Sequence, residues 1–218
     1  MAKRIGKYKM SNREIALSAV DGATIEGSLD GITNLTATGT STLGVVNASG
    51  KVKLNGNTGL EAGSGFGDAA LYKSWSQDLG GVTKTTLLID LTGIRSTAAN
   101  DIIGDDGEAN ATIGQYTTAV MGTLFAVEMS CIETPAGGDP DINLAFADEA
   151  TLAEDSALSA GTSNGTLLNN GDLAAEKEYF AIAGFPAVNQ YFYLVAGAAT
   201  DGDYSAGVIK IEFYGTTS

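Results

Sequence analysis

Gly207-Val-Ile-Lys-Ile-Glu-Phe-Tyr214 reads as a β-strand with one dry face. Val208, Ile209, Ile211 and Phe213 supply its apolar positions, while Lys210 and Glu212 point the other way, the period-two signature of a strand lying on a core. Working outward, seven more segments carry strand-like runs: Lys84–Leu91, Ala111–Thr118, Thr123–Glu133, Asp141–Ala147, Thr166–Asn169, Glu178–Ala183 and Gln190–Gly197. Turn signals separate them at Gly80-Gly81, Asp105-Asp-Gly107, Gly137-Gly-Asp-Pro140, Asn169-Asn-Gly171 and Asp201-Gly-Asp203, because Gly, Asn and Asp tolerate positive φ. Eight short strands with no convincing helix predict an all-β fold, with an antiparallel β-sandwich of jelly-roll type over residues 71–218. Composition agrees: 29 glycines against 3 prolines, and 44% apolar residues, enough for a real core.

Residues 23–70 have a different texture. Glycines recur throughout, large side chains are nearly missing before Phe66, and short alternating pieces such as Leu35-Thr-Ala37, Leu43-Gly-Val45 and Val52-Lys-Leu54 lie between them. The apolar supply is Ile25, Leu29, Ile32, Leu35, Leu43, Val45, Val52, Leu54 and Leu60. At roughly 25 cal/mol per Å² this cannot offset backbone ordering at about 1–2 kcal/mol per residue. The segment is therefore expected to form an extended β stem whose apolar faces meet those of sister chains, with a parallel homotrimer the simplest closure. A linker draped over the sandwich is the alternative, against which the alternation and the scarcity of Pro argue.

Residues 1–22 are basic. Lys3, Arg4, Lys7, Lys9 and Arg13 precede the first acid, Glu14, in a chain of formal net charge −14. Ser11-Asn-Arg-Glu14 reads as a capping box ahead of a short apolar run, a helix too short to stand without a surface beneath it. This end is expected to dock on an acidic partner, a solvated terminus being the alternative. The acidic remainder repels nucleic acid and anionic membrane, so neither is an expected partner. No apolar stretch approaches the roughly 20 residues of a membrane span, and the first residues lack the apolar core of a signal peptide, which points to synthesis in a cytoplasm.

Chemistry is sparsely equipped. The chain has no histidine, which excludes Ser-His-Asp and Cys-His nucleophilic sites, and one cysteine, Cys131, expected as a small buried side chain. Gly44-Val-Val-Asn-Ala-Ser-Gly50-Lys51-Val52 is one residue too long for a phosphate loop and has Val52 where a hydroxyl should hold Mg²⁺. Gly63-Ser-Gly65-Phe-Gly67 lacks the strand-then-helix setting of a dinucleotide site. Two carboxylates could hydrolyse a glycoside, and Asp101, Asp105, Asp106, Glu108, Asp139, Asp141, Asp148, Glu149, Glu154 and Asp155 are candidates, but no motif singles one out. Asp139-Pro-Asp-Ile-Asn143 and Asp201-Gly-Asp203 offer oxygen ligands suited to Ca²⁺ without matching an EF-hand. The expectation is a non-enzymatic protein with no cofactor and no metal.

Three phrases carry a resemblance: Lys3-Arg-Ile-Gly-Lys-Tyr-Lys9 at the start, Ile25-Glu-Gly-Ser-Leu-Asp-Gly-Ile-Thr-Asn-Leu-Thr-Ala-Thr-Gly39, and Lys53-Leu-Asn-Gly-Asn-Thr-Gly-Leu-Glu-Ala-Gly-Ser-Gly-Phe-Gly67, extending into Ser74-Trp75. They resemble virion structural proteins of tailed bacteriophages of aquatic bacteria, cyanophages included. The resemblance implies a virion component with an N-terminal anchor, a thin trimeric stem and a C-terminal β knob. On that basis the basic residues 3–13 are expected to dock on the major capsid protein, placing the chain on the capsid surface as a decoration or head-fibre protein. A tail fibre binding a host-surface glycan is the first alternative, and a spike-borne polysaccharide depolymerase the second.

Overall fold

The computed structural model describes residues 59–67 and 69–216. They form an all-β fold of antiparallel sheets. The strands are β1 (Leu71–Asp78), β2 (Val82–Asp90), β3 (Arg95–Ser96), β4 (Gly114–Gln115), β5 (Thr123–Ala136), β6 (Ile142–Ala147), β7 (Gly165–Leu168), β8 (Glu178–Ala181), β9 (Tyr191–Ala196), β10 (Gly202–Asp203) and β11 (Ala206–Thr216). One sheet runs β1-β2-β11-β5-β8, the other β4-β9-β6-β7, and β3 pairs with β10. Leaving aside β1, β3 and β10, eight strands remain. Numbered along the chain, they stand in the orders first-eighth-third-sixth and second-seventh-fourth-fifth, which is the jelly-roll arrangement of two interleaved Greek keys.

The β1–β2 hairpin was not anticipated from sequence, although its turn was. Leu79 N–H donates to Val82 C=O across Gly80 and Gly81, at φ 77° and 103°. Two successive positive-φ residues give the primed turn that matches strand twist. In β11, Ile209, Ile211 and Phe213 are fully buried toward the second sheet, and Lys210 and Glu212 lie on the outer face, as alternation requires. The two sheets meet at Phe213 of β11 and Phe192 of β9, whose ring centroids are 4.6 Å apart at a 40° tilt.

The second sheet is covered on both sides. Tyr193, the neighbour of Phe192 along β9, points to the opposite face, yet is fully buried there, its hydroxyl donating to the Glu149 carbonyl. Residues 148–164 supply this cover, with Leu152 and Leu158 buried. Ala111 N–H donates to Leu152 C=O and Ile102 N–H to Ser156 C=O, tying this loop to the β2–β4 connection. Two-sided burial explains why β6 and β9 read as near-continuous apolar runs rather than alternating ones.

The segment Ala111–Thr118, expected as one strand, is a strand only at β4. The Thr112 hydroxyl bonds the Phe192 and Gly114 carbonyls and accepts from Gly114 N–H, so a side chain takes up backbone groups that a ladder would have paired. Gly114, at φ 140°, opens the two-residue strand that remains.

Leu60, expected in a stem shared between copies, instead joins the core of its own chain, where it is 6% exposed. Residues 59–67 are stitched down: Leu60 N–H donates to Ser74 Oγ, Gly63 N–H to Thr112 C=O, and Gly65 N–H to Asn110 C=O, with Phe66 buried beneath. A Cβ on Gly65 would stand 2.7 Å from Ala111 Cα, so close approach requires glycine there. The sandwich thus takes in residues from 59 onward rather than from 71. The other stem positions, Ile25, Leu29, Ile32, Leu35, Leu43, Val45, Val52 and Leu54, and the anchor positions Lys3, Arg4, Lys7, Lys9 and Arg13, lie outside the described residues. Cys131 is 2% exposed, as expected.

Candidate functional site

Sequence makes the sandwich acidic. Of the chain's charged residues, twenty-two of the 26 acids but only five of the 12 bases lie at position 59 or beyond. The fold sorts these charges into loop staples at one end and a ladder on one face.

The loops preceding β4, β6 and β8 and the loop between β9 and β11 gather at one end, where β3 pairs with β10. Arg95 on β3 is ringed by carboxylates. Nη2 meets Asp201 Oδ1 at 2.5 Å, Nη1 meets Asp106 Oδ1 at 3.1 Å, and Nε stands 3.8 Å from Glu154 Oε1 and 3.9 Å from Asp203 Oδ1. The hydrogen bond to Asp201 leads in pushing the guanidinium pKa up, aided by the surrounding negative charge against partial burial. Glu154 is buried, with its carboxyl raised by desolvation; the Gly107 N–H that it accepts only partly offsets this.

Asp139 is a second hub. It is fully buried, and its carboxylate accepts the N–H groups of Asp141 and Ala198, while its own carbonyl accepts from the Tyr204 hydroxyl. Three more of the candidate acids are likewise engaged. Asp101 accepts from Thr97 Oγ1, Asp148 from Gln190 Nε2, and Glu149 from both the hydroxyl and N–H of Thr162. Their local role is to hold irregular backbone in place. Among the described residues, no group of three or more His, Cys, Asp or Glu side chains is arranged to hold a metal ion. Asp201 and Asp203 face Arg95 instead, and both Asp139 oxygens are occupied by amides.

Asp141 differs from its neighbours. Desolvation, then Asp139 and Asp172, push its carboxyl above the ordinary range, and its Oδ1 is buried with no hydrogen bond. A raised carboxyl favours the protonated form in the fold, so its contribution is full below the unfolded value of about 4 and is lost as pH rises through the folded value. Asp141→Asn removes the charge at nearly constant shape. Its melting temperature is expected to exceed that of the wild type at pH 7.5, with the gap closing toward pH 4; thermal melts at both pH values check this.

The outer face of the five-stranded sheet carries a charge ladder across three strands. Lys84 on β2 meets Glu212 on β11 at 2.6 Å; Lys210 reaches Glu212 at 3.3 Å and Glu128 on β5 at 4.0 Å. Toward the β8 edge the face turns apolar. Phe125 (44% exposed), Phe180 (64%) and Ile182 (81%) lie at the same end of the β5–β8 pair, and Phe125 packs 6.4 Å from Tyr214. Among the described residues β8 pairs with β5 alone, so its other edge is open. Exposed apolar side chains beside an open strand edge make a surface suited to protein contact. Sequence reading placed this strand but not its exposed face. The signal was available in Tyr179-Phe-Ala-Ile182, which is apolar on both faces where an ordinary surface strand alternates.

No helix among the described residues is long and apolar enough to cross a membrane. Compared with known proteins, the chain matches no family model, no curated protein and no solved structure.

Proposed function

We propose that the chain is a structural virion protein that decorates a bacteriophage capsid, docked by its N-terminal segment on the major capsid protein and projecting the jelly roll outward. The observation that carries this is the separation of charge along the sequence. Five of 12 basic residues fall within the first thirteen positions, while residues 59–216 make an acidic sandwich that closes its own core. An electropositive end suits docking on an acidic surface, and an acidic body resists sticking to nucleic acid or to its neighbours. The open β8 edge with Phe180 and Ile182 supports self-association, for which a homotrimer remains our choice. Capsid symmetry then repeats weak sites many times, giving strong binding by avidity. Binding only the assembled shell stabilises that shell by mass action.

Removing residues 1–13 is expected to leave the sandwich folded, since the described residues close a core of their own, while abolishing occupancy on phage heads. Full decoration by the truncated chain, measured by co-sedimentation with heads and by imaging, overturns the anchor. The tail-fibre alternative is separated by copy number: many copies over the head support decoration, and a few at the tail support an adhesin. Turnover of capsular polysaccharide would instead support the depolymerase.

A further inference from the structure

A cleft of about 340 Å³ opens where the strap of residues 59–63 crosses the β4 edge of the second sheet. This is the low end of the range for small-ligand sites, the size of one or two sugar rings rather than of a nucleotide. Six of its lining side chains are polar or aromatic: Glu61, Asn110, Thr112, Gln115, Thr117 and Tyr191, of which Thr112 is already bonded to the Phe192 and Gly114 carbonyls. Their hydrogen-bonding state is unbalanced. Asn110 Oδ1 is buried with no partner. Gln115 Nε2 donates to Asn189 C=O at 3.0 Å, which fixes the amide and leaves Oε1 free to accept. The Glu61 carboxylate, at the exposed rim, makes no hydrogen bond or ion pair with a described residue, and adds two more acceptors. The cleft is therefore rich in acceptors.

An acceptor-rich wall is best satisfied by a ligand rich in donors. Lys73, Lys84, Arg95, Lys177 and Lys210 are the basic residues at position 59 and beyond, and none lines the cleft. An anionic ligand would thus meet Glu61 with no compensating cation among the described residues. A neutral polyhydroxylated ring fits both conditions: its hydroxyls donate to Glu61 and Gln115, and its apolar face can lie against the Tyr191 ring.

We infer that this cleft binds a neutral sugar, one or two rings at the end of a glycan. The inference goes beyond capsid decoration and does not depend on where the sandwich is carried. It is tested on the purified full-length chain with an array of neutral glycans (ending in glucose, galactose, mannose or N-acetylglucosamine) and acidic ones (sialylated or uronate). Retention of at least one neutral glycan, and of no acidic glycan more strongly, is expected. Gln115→Ala and Glu61→Ala are each expected to weaken that retention about tenfold, the loss of a hydrogen bond to a polar or charged partner, with melting unchanged. Neither side chain belongs to the core, so both variants should fold. Three results would overturn the inference: an array on which nothing neutral is retained, preference for acidic glycans, or binding indifferent to both substitutions.

Discussion

Phe213→Ala is expected to cost about 3–5 kcal/mol of folding stability, the usual range for truncating a fully buried aromatic. The ring stands between the sheets against Phe192 and is 0% exposed. Removing it deletes apolar burial and leaves a void that neither sheet can close by moving alone, because β11 is held on both sides, by β2 and by β5. For a domain of this size the melting temperature should fall by about 10 °C. Urea unfolding provides the measurement, with the midpoint reduced and the slope unchanged. Phe125→Ala is the control: its ring is on the wet face, and its loss should stay within about 0.5 kcal/mol. A Phe213→Ala cost no larger than the control's would mean that the two sheets do not share this contact.

The second large effect belongs to Glu212. Its side chain is 8% exposed, yet it holds Lys84 at 2.6 Å and Lys210 at 3.3 Å and accepts from the Tyr214 hydroxyl at 3.1 Å. Glu212→Ala leaves two ammonium groups facing each other across the vacated position. A fully buried pair broken this way loses about 3–5 kcal/mol; with the lysines a quarter to a third exposed, about 1–3 is expected. The pH dependence carries its own sign. Burial works to raise the Glu212 carboxyl, but the Lys84 hydrogen bond, Lys210 and Tyr214 outweigh it and hold the group below its ordinary value. A lowered carboxyl contributes fully above the unfolded value of about 4.3, and that contribution is lost as pH falls through the folded value. Stability measured from pH 7 to pH 3 should therefore fall less steeply in Glu212→Gln than in the wild type. Parallel curves would show that the ladder contributes nothing through this carboxylate.

Legibility in the sequence followed the number of wet faces. β11 could be read because one face is dry and the other carries Lys210 and Glu212. β6 and β9 showed as apolar runs, without any hint that residues 148–164 form their second cover; the Tyr193 hydroxyl bond to Glu149 is a long-range event with no local signature. β1 was missed because Leu71–Asp78 is an edge strand with most of its residues at least partly exposed, so no period stands out. The strand expected at Ala111–Thr118 shrank to two residues because tertiary bonds from Thr112 overrode a good β propensity. Leu60 was assigned to a shared stem because its partners, near Ser74 and Gly114, are distant in sequence. The acids were seen as a group but not as staples, since which carboxylate meets which amide depends on loops brought together only by the fold.

The long connection between β6 and β7 also decides where this molecule can change. A surface loop of that length ordinarily absorbs insertions and drifts freely between relatives. Here it roofs Tyr193, so residues in it are constrained as tightly as those of a strand. Freedom lies instead in residues inserted at tips such as Gly80-Gly81, where added side chains would touch nothing, although the positive φ of both glycines strains their direct replacement. Lineages of this protein should diversify there, and a peptide grafted for display belongs at that hairpin and not in the longer loop.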